Sequence, residues 1–88
     1  MIEHPQLARH ARYRRDERRA QHQLVFPEGM LVLNDTAAAI VRLCDGRSRE
    51  AVLQALDAAY SDGVSEAEVD QLLEVLHRRG LLRDAADR

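Results

Sequence analysis

Apolar and polar positions change their spacing along this chain, and each change marks a predicted element. Leu24-Val25-Phe26 and Met30-Leu31-Val32-Leu33 are apolar runs of strand length. Pro27-Glu28-Gly29 between them suits a three-residue hairpin loop, with proline presetting the first turn angle and glycine tolerating a positive φ at the end. Upstream, Ala11 to Arg15 is polar and arginine-rich with Tyr13 as its apolar contact, which predicts an edge strand. Asp16-Glu17-Arg18-Arg19 makes a polar connection, and Gln21 to Phe26 is the return strand. These segments predict a three-stranded antiparallel meander ending in Met30 to Leu33.

Downstream the period becomes helical. Ala37, Ile40, Val41 and Cys44 fall at i, i+3, i+4 and i+7 of a first helix, about Asp35 to Cys44. Asn34 or Asp35 caps its start, and Asp45-Gly46 ends it. A second helix begins at Ser48, carries Val52, Leu53, Leu56, Ala59 and Tyr60, and breaks at Ser61-Asp62-Gly63. For the third, Ser65 and Glu68 read as a capping box, with Val64 and Val69 as a hydrophobic staple. It buries Val69, Leu72, Leu73 and Leu76 and stops at Gly80, with Arg78 and Arg79 at its negative end. Residues 1–10 and 84–88 read as flexible tails, Pro5 opposing a regular start. Residues 1–88 thus form a single α+β domain, a three-stranded antiparallel sheet followed by a three-helix bundle. Helices two and three, joined by a short glycine-containing turn, give it a winged-helix-like cast.

Composition narrows the possible functions. Eighty-eight residues leave no room for a deep enclosed catalytic cleft. Aromatics are few (Tyr13, Phe26 and Tyr60), so the core is aliphatic. All 13 basic residues are arginine, and the net charge of −2 hides an uneven distribution. Residues 1–19 hold six arginines against three acids, while residues 20–88 hold seven against twelve. One cysteine excludes an internal disulfide and fits a reducing compartment. With no apolar run of membrane length and no signal-like start, the expected location is cytoplasmic.

Catalytic chemistry finds no foothold. His4, His10, His22 and His77 are scattered without metal-ligand spacing, and Cys44 sits on an apolar helix face as a small buried hydrophobe. No phosphate loop or nucleophile elbow is present, so no catalytic residue, metal or cofactor is expected. A helix-turn-helix pair raises the question of DNA, but the third helix begins with Glu66, Glu68 and Asp70, which phosphates would repel. Peptide recognition fits better. Met30 to Leu33 is an apolar edge strand that no charge blunts, and such an edge accepts an extended peptide as a further strand. Val75, beside Leu72 and near Gln71 and Arg79, widens the apolar arc of the third helix and could wall a groove floored by that strand. Val75 equally suits an extended core or contact with a second copy of the chain.

Pro5, Asp16, Pro27-Glu28-Gly29, Leu33-Asn34, Ala37, Leu43-Cys44-Asp45-Gly46, Leu56, Tyr60, Val69, Leu73, Leu76 and Gly80-Leu81 stand in an order and spacing that resembles the PqqD family, over roughly residues 5 to 83. The resemblance implies a peptide chaperone of pyrroloquinoline quinone (PQQ) biosynthesis. Such a chaperone binds the precursor peptide PqqA and delivers it to the radical SAM enzyme PqqE, which links glutamate and tyrosine side chains. It also implies a leader peptide added beside the third strand and against the third helix, as in recognition domains of other modified-peptide pathways. Any iron–sulfur cluster and S-adenosylmethionine belong to the partner enzyme, since one cysteine cannot hold a four-cysteine cluster. The expected peptide contacts are Met30, Leu31, Val32, Leu33, Gln71, Leu72, Val75 and Arg79, and Asp45 and Gly46 are an expected contact for the enzyme. A homodimer through the same edge is expected of the free protein. The alternatives are recognition of another pathway's leader peptide, or winged-helix DNA binding. Where many relatives carry an aromatic in the second strand this chain has His22-Gln23, and where they often read Asp-Val it has Glu68-Val69.

Overall fold

The hairpin turns more tightly than its sequence suggests. In the computed structural model, which describes residues 2–60 and 62–86, Phe26 pairs directly with Gly29, leaving a two-residue loop of Pro27 and Glu28. The three-residue loop is corrected accordingly: Gly29 is the first residue of its strand. The chain runs β1 (Pro5–Leu7), β2 (Arg12–Asp16), β3 (Gln21–Phe26), β4 (Gly29–Leu33), α1 (Asp35–Arg42), α2 (Arg49–Ala59), α3 (Glu66–Arg78) and β5 (Leu82–Asp84). β2, β3 and β4 form the antiparallel meander in that order. The β2–β3 turn is held by Asp16, whose Oδ1 accepts the backbone N–H of Arg18 at 3.0 Å and of Arg19 at 3.2 Å. Such local side-chain bonds are why aspartate opens turns.

Each helix starts where an oxygen-bearing side chain satisfies free N–H groups. Asn34 accepts from Ala37 N at 2.7 Å, Ser48 from Ala51 N at 3.1 Å, and Ser65 from Ala67 N at 3.1 Å and Glu68 N at 3.4 Å. α3 ends in a Schellman arrangement: Gly80 takes φ +74°, its N–H reaches His77 O, and Leu81 N–H reaches Leu76 O. α1 ends earlier than its pattern suggests, at Arg42 with Leu43 as C-cap. Asp45-Gly46 is therefore not its stop signal.

The expectation of loose ends is corrected over residues 2–10 and 84–86; Met1, Asp87 and Arg88 lie outside the described residues, as does Ser61 of the predicted helix break. β1 pairs antiparallel with β5, Pro5 opposite Asp84 and Leu7 opposite Leu82. Asp84 fastens this small sheet, its carboxylate accepting the N–H groups of Glu3 at 2.9 Å, His4 at 3.0 Å and Ala86 at 3.0 Å. Those backbone donors hold its pKa below the ordinary carboxylate value, the bond from Glu3 being the largest cause. The α1–α2 loop closes the other side of β1: Leu7 N–H donates to Cys44 O and Gly46 N–H to Pro5 O. Gly46 does this at φ +96°, with Gln6 only 3.6 Å from where a Cβ would stand.

One aliphatic core results. Leu24, Leu33, Ala38, Ile40, Val41, Val52, Leu56, Val69, Leu73, Leu76, Leu81 and Leu82 are buried, so Ala38 rather than Ala37 is the fully buried alanine of α1. Cys44 joins them, and burial pushes its thiol up to about 12. Arg49 Nε and Nη2 each donate to Asp70 at 2.8 Å, a bidentate pair that ties α2 to α3.

Candidate functional site

The two borders of the meander differ in kind. β2 is bordered by Arg12, Arg14 and Arg15, which blunt it against further strands. β4, Gly-Met-Leu-Val-Leu, carries no charge, and among the described residues β3 is its only strand neighbour. Antiparallel pairs alternate between hydrogen-bonded and non-hydrogen-bonded. Phe26 and Gly29 close the loop as a hydrogen-bonded pair, so Leu24–Leu31 and His22–Leu33 are bonded too. Met30 and Val32 therefore turn their N–H and C=O groups outward to the vacant border. Their side chains lie on the sheet's outer face, 41% and 58% exposed, and are the exposed large hydrophobics of the described chain. Leu31 is half-buried and Leu33 buried, both turned inward.

Beyond Leu33 the chain enters α1, and a groove of about 360 Å³ opens there between α1 and α3. Ala37 and Ile40 of α1 and Leu72 and Val75 of α3 give it an apolar floor; Asn34, Thr36, Glu68 and Gln71 give it a polar rim. Sequence reasoning foresaw Gln71, Leu72 and Val75 together, and the structure brings them to this groove. It missed the α1 contribution, so the floor is a helix face rather than the Met30–Leu33 strand. The sequence marks Ala37 and Ile40 only as core positions, and Asn34 only as a cap. Arg79 does not line the groove; it is exposed at the C-cap of α3.

The start of α1 is braced from beneath by His22. Its Nδ1 lies 2.7 Å from Tyr13 Oη, and its Nε2 lies 3.1 Å from Asp35 Oδ1 and 3.2 Å from Arg15 Nη1. Arg42 stacks over the Tyr13 ring at 5.4 Å from its centroid, joining β2 to the end of α1. Asp45 and Gly46 lie apart, in the loop that holds β1. Asp45 accepts Arg47 Nη2 at 2.8 Å and Nε at 3.0 Å, and these bonds with the Arg47 backbone N–H lower its pKa to about 2. Among the described residues no three His, Cys, Asp or Glu side chains gather as a metal site.

A three-stranded antiparallel sheet followed by three helices is also the fold of a solved recognition element for ribosomally synthesized peptides. The chain is similar, with a TM-score of 0.68 and 31% identity over 91% of its length and 88% of the other's, to the solution NMR structure of the PqqD truncation of Methylobacterium extorquens PqqCD, described as a functional and stand-alone recognition element of that class. The family model for coenzyme PQQ synthesis protein D (PqqD) matches residues 21–82. The chain belongs to the PqqD family. Among relatives, the PqqA binding protein of Azotobacter vinelandii is 44% identical over 78 residues, 85% of this chain and 84% of that one. The PqqA binding protein of Rhodopseudomonas palustris strain HaA2 is 37% identical over 87 residues, 96% and 85% of the two chains.

Proposed function

We propose that this protein is a non-catalytic peptide chaperone of PQQ biosynthesis that binds the precursor peptide PqqA at the β4 border and presents it to the radical SAM enzyme PqqE. The observation that carries the reading is the unpaired border of β4, where Met30 and Val32 direct backbone groups outward, while the α1–α3 groove opens past the end of the same strand, from Asn34 onward. A PqqA segment entering as a fourth strand pairs with those groups, and its inward side chains cover Leu31 and reach Leu72, Val75 and Gln71. Main-chain pairing supplies affinity with little sequence demand, and the groove supplies selection. The names of the relatives support this ligand. Because the border holds the peptide by its backbone, one flank of the peptide stays open to an enzyme. Arg79, exposed at the C-cap of α3, is assigned to peptide residues outside the paired strand. The Asp45–Arg47 pair and Gly46 form a separate surface for the enzyme.

The same border makes the free protein prone to pairing with a second copy, giving a homodimer that the peptide disperses. No helix of the described residues is long and apolar enough to cross a membrane, which suits work in the cytoplasm beside a peptide-modifying enzyme. An NMR titration of labelled protein with PqqA, and with an unrelated leader as control, tests the reading. The amides of Met30 and Val32 should shift most among the β4 amides, and only PqqA should produce the shift. Stationary amides at both positions would refute strand addition.

A further inference from the structure

Strand addition leaves one surface of the sheet unused. Across the outer face, Arg12, Val25 and Met30 form one row, and Arg14, Gln23 and Val32 the next, with the central Gln23 buried at 2% exposure and the flanking Arg12, Arg14, Met30 and Val32 exposed. An antiparallel sheet with a wet face sets polar residues there, and β2 does so. β4 breaks the rule with Met30 and Val32, the two exposed large apolar side chains among the described residues. These are the same two residues whose backbone groups face the vacant border. In a strand seated on that border, the residues directly opposite Met30 and Val32 lie on the outer face, whichever way the strand runs. The alternate residues turn inward, opposite Leu31 and Leu33.

Resting on the strand-addition reading, we propose that the peptide segment taken by β4 is apolar at four consecutive positions. Two of its side chains cover Met30 and Val32 outside, and two cover Leu31 and approach the groove inside. The ligand is thus a continuous apolar run rather than the alternating pattern that a half-buried strand carries. Polar outer positions would strand Met30 and Val32 in water, and the arginine rows cannot compensate. Arg12 and Arg14 stand on β2, two strands removed from β4, and each strand step is about 4.8 Å. Met30-Leu31-Val32-Leu33 is itself such a run, so a second copy of the chain is the rival occupant.

Calorimetric titration of the full chain with PqqA peptides, each carrying one serine substitution, tests the pattern. Four adjacent positions should each weaken binding, the two outer ones by about fivefold. The double variant Met30→Thr, Val32→Thr, changed only at exposed side chains, should keep its fold by circular dichroism and lose affinity in proportion. Sensitivity at every second position, or unchanged affinity of the double variant, would overturn the proposal while leaving strand addition intact. Loss of self-association in that variant with peptide affinity unchanged would assign the outer face to the second copy and overturn it equally. If the Met30 and Val32 amides do not respond to peptide, the underlying reading fails instead.

Discussion

Proline at two neighbouring positions of β4 separates the outward from the inward backbone. At position 32 the lost N–H faces the vacant border, a place where a strand tolerates proline. The residue before it, Leu31, already has the extended backbone that proline demands. Val32→Pro should therefore cost the fold about 1 kcal/mol, the span of strand propensity. The incoming peptide loses more. One of its carbonyls meets a ring in place of a donor, a loss of about 1–3 kcal/mol, or about fivefold to a hundredfold in affinity. Leu31→Pro removes instead the N–H that pairs with Leu24, a residue with 0% exposure, and leaves that carbonyl unsatisfied inside the core. With the leucine packing also reduced, it should cost about 3 kcal/mol or more of a total near 5–10 kcal/mol. Urea unfolding and PqqA titration of both variants give the comparison. Wild-type affinity in folded Val32→Pro, or equal destabilisation by both changes, would refute the assigned register and the site with it.

Other outcomes follow from the same geometry. Val75→Asp puts a carboxylate over the apolar groove floor and should weaken PqqA binding about tenfold with little effect on the urea midpoint, since Val75 is only half-buried. Asp45, Asp70 and Asp84 all have folded pKa values below the ordinary 3.8, Asp45 at about 2. Each adds stability above pH 4 that disappears as pH falls through the folded value, so thermal midpoints should drop between about pH 4 and 2. In Asp84→Asn that drop should be shallower, and deuterium exchange at Glu3 and His4 should rise at neutral pH. Cys44, with a thiol pushed up to about 12 in the core, should react with a disulfide reagent only as fast as the protein unfolds.

Local chemistry made much of the fold legible. A cap oxygen and the N–H it satisfies lie two or three residues apart, so Asn34, Ser48 and Ser65 announce their helices directly. The apolar runs around Pro27 and Glu28 announce the hairpin, though not whether Gly29 belongs to loop or strand, because glycine fits both. The β1–β5 sheet was out of reach for the opposite reason. Its partners stand about eighty residues apart, each strand has three residues, and Pro5 argues locally against a strand. Only the assembled structure reveals that Pro5 needs no donor there, its carbonyl taking the Gly46 N–H while Asp84 gathers the neighbouring ones. The proposed site divides along the same line. The uncharged border of β4 is a property of consecutive residues and can be read from the chain. The groove floor needs α1 set against α3, and Ala37 and Ile40 carry no mark that separates a core position from a groove position.

The β1–β5 clasp bears on the proposed site as well as on the segments it joins. A strand left bare must not distort when nothing occupies its border, and a domain this small has few buried contacts to prevent it. β4 is held at one end by its two-residue loop and at the other by α1, whose start is braced through Asp35 to His22 and whose end is braced through Arg42 to Tyr13. α3, the far wall of the groove, is tied to α2 by Arg49–Asp70 and leads at its end through the Gly80 turn into β5. β5 is fixed by β1, and β1 by the α1–α2 loop. Both groove walls are therefore anchored by elements outside the groove, and the backbone groups of Met30 and Val32 can stay exposed in a fixed register. Loosening β1 should accordingly reach the peptide through α3, as a faster dissociation rate rather than a changed register of pairing.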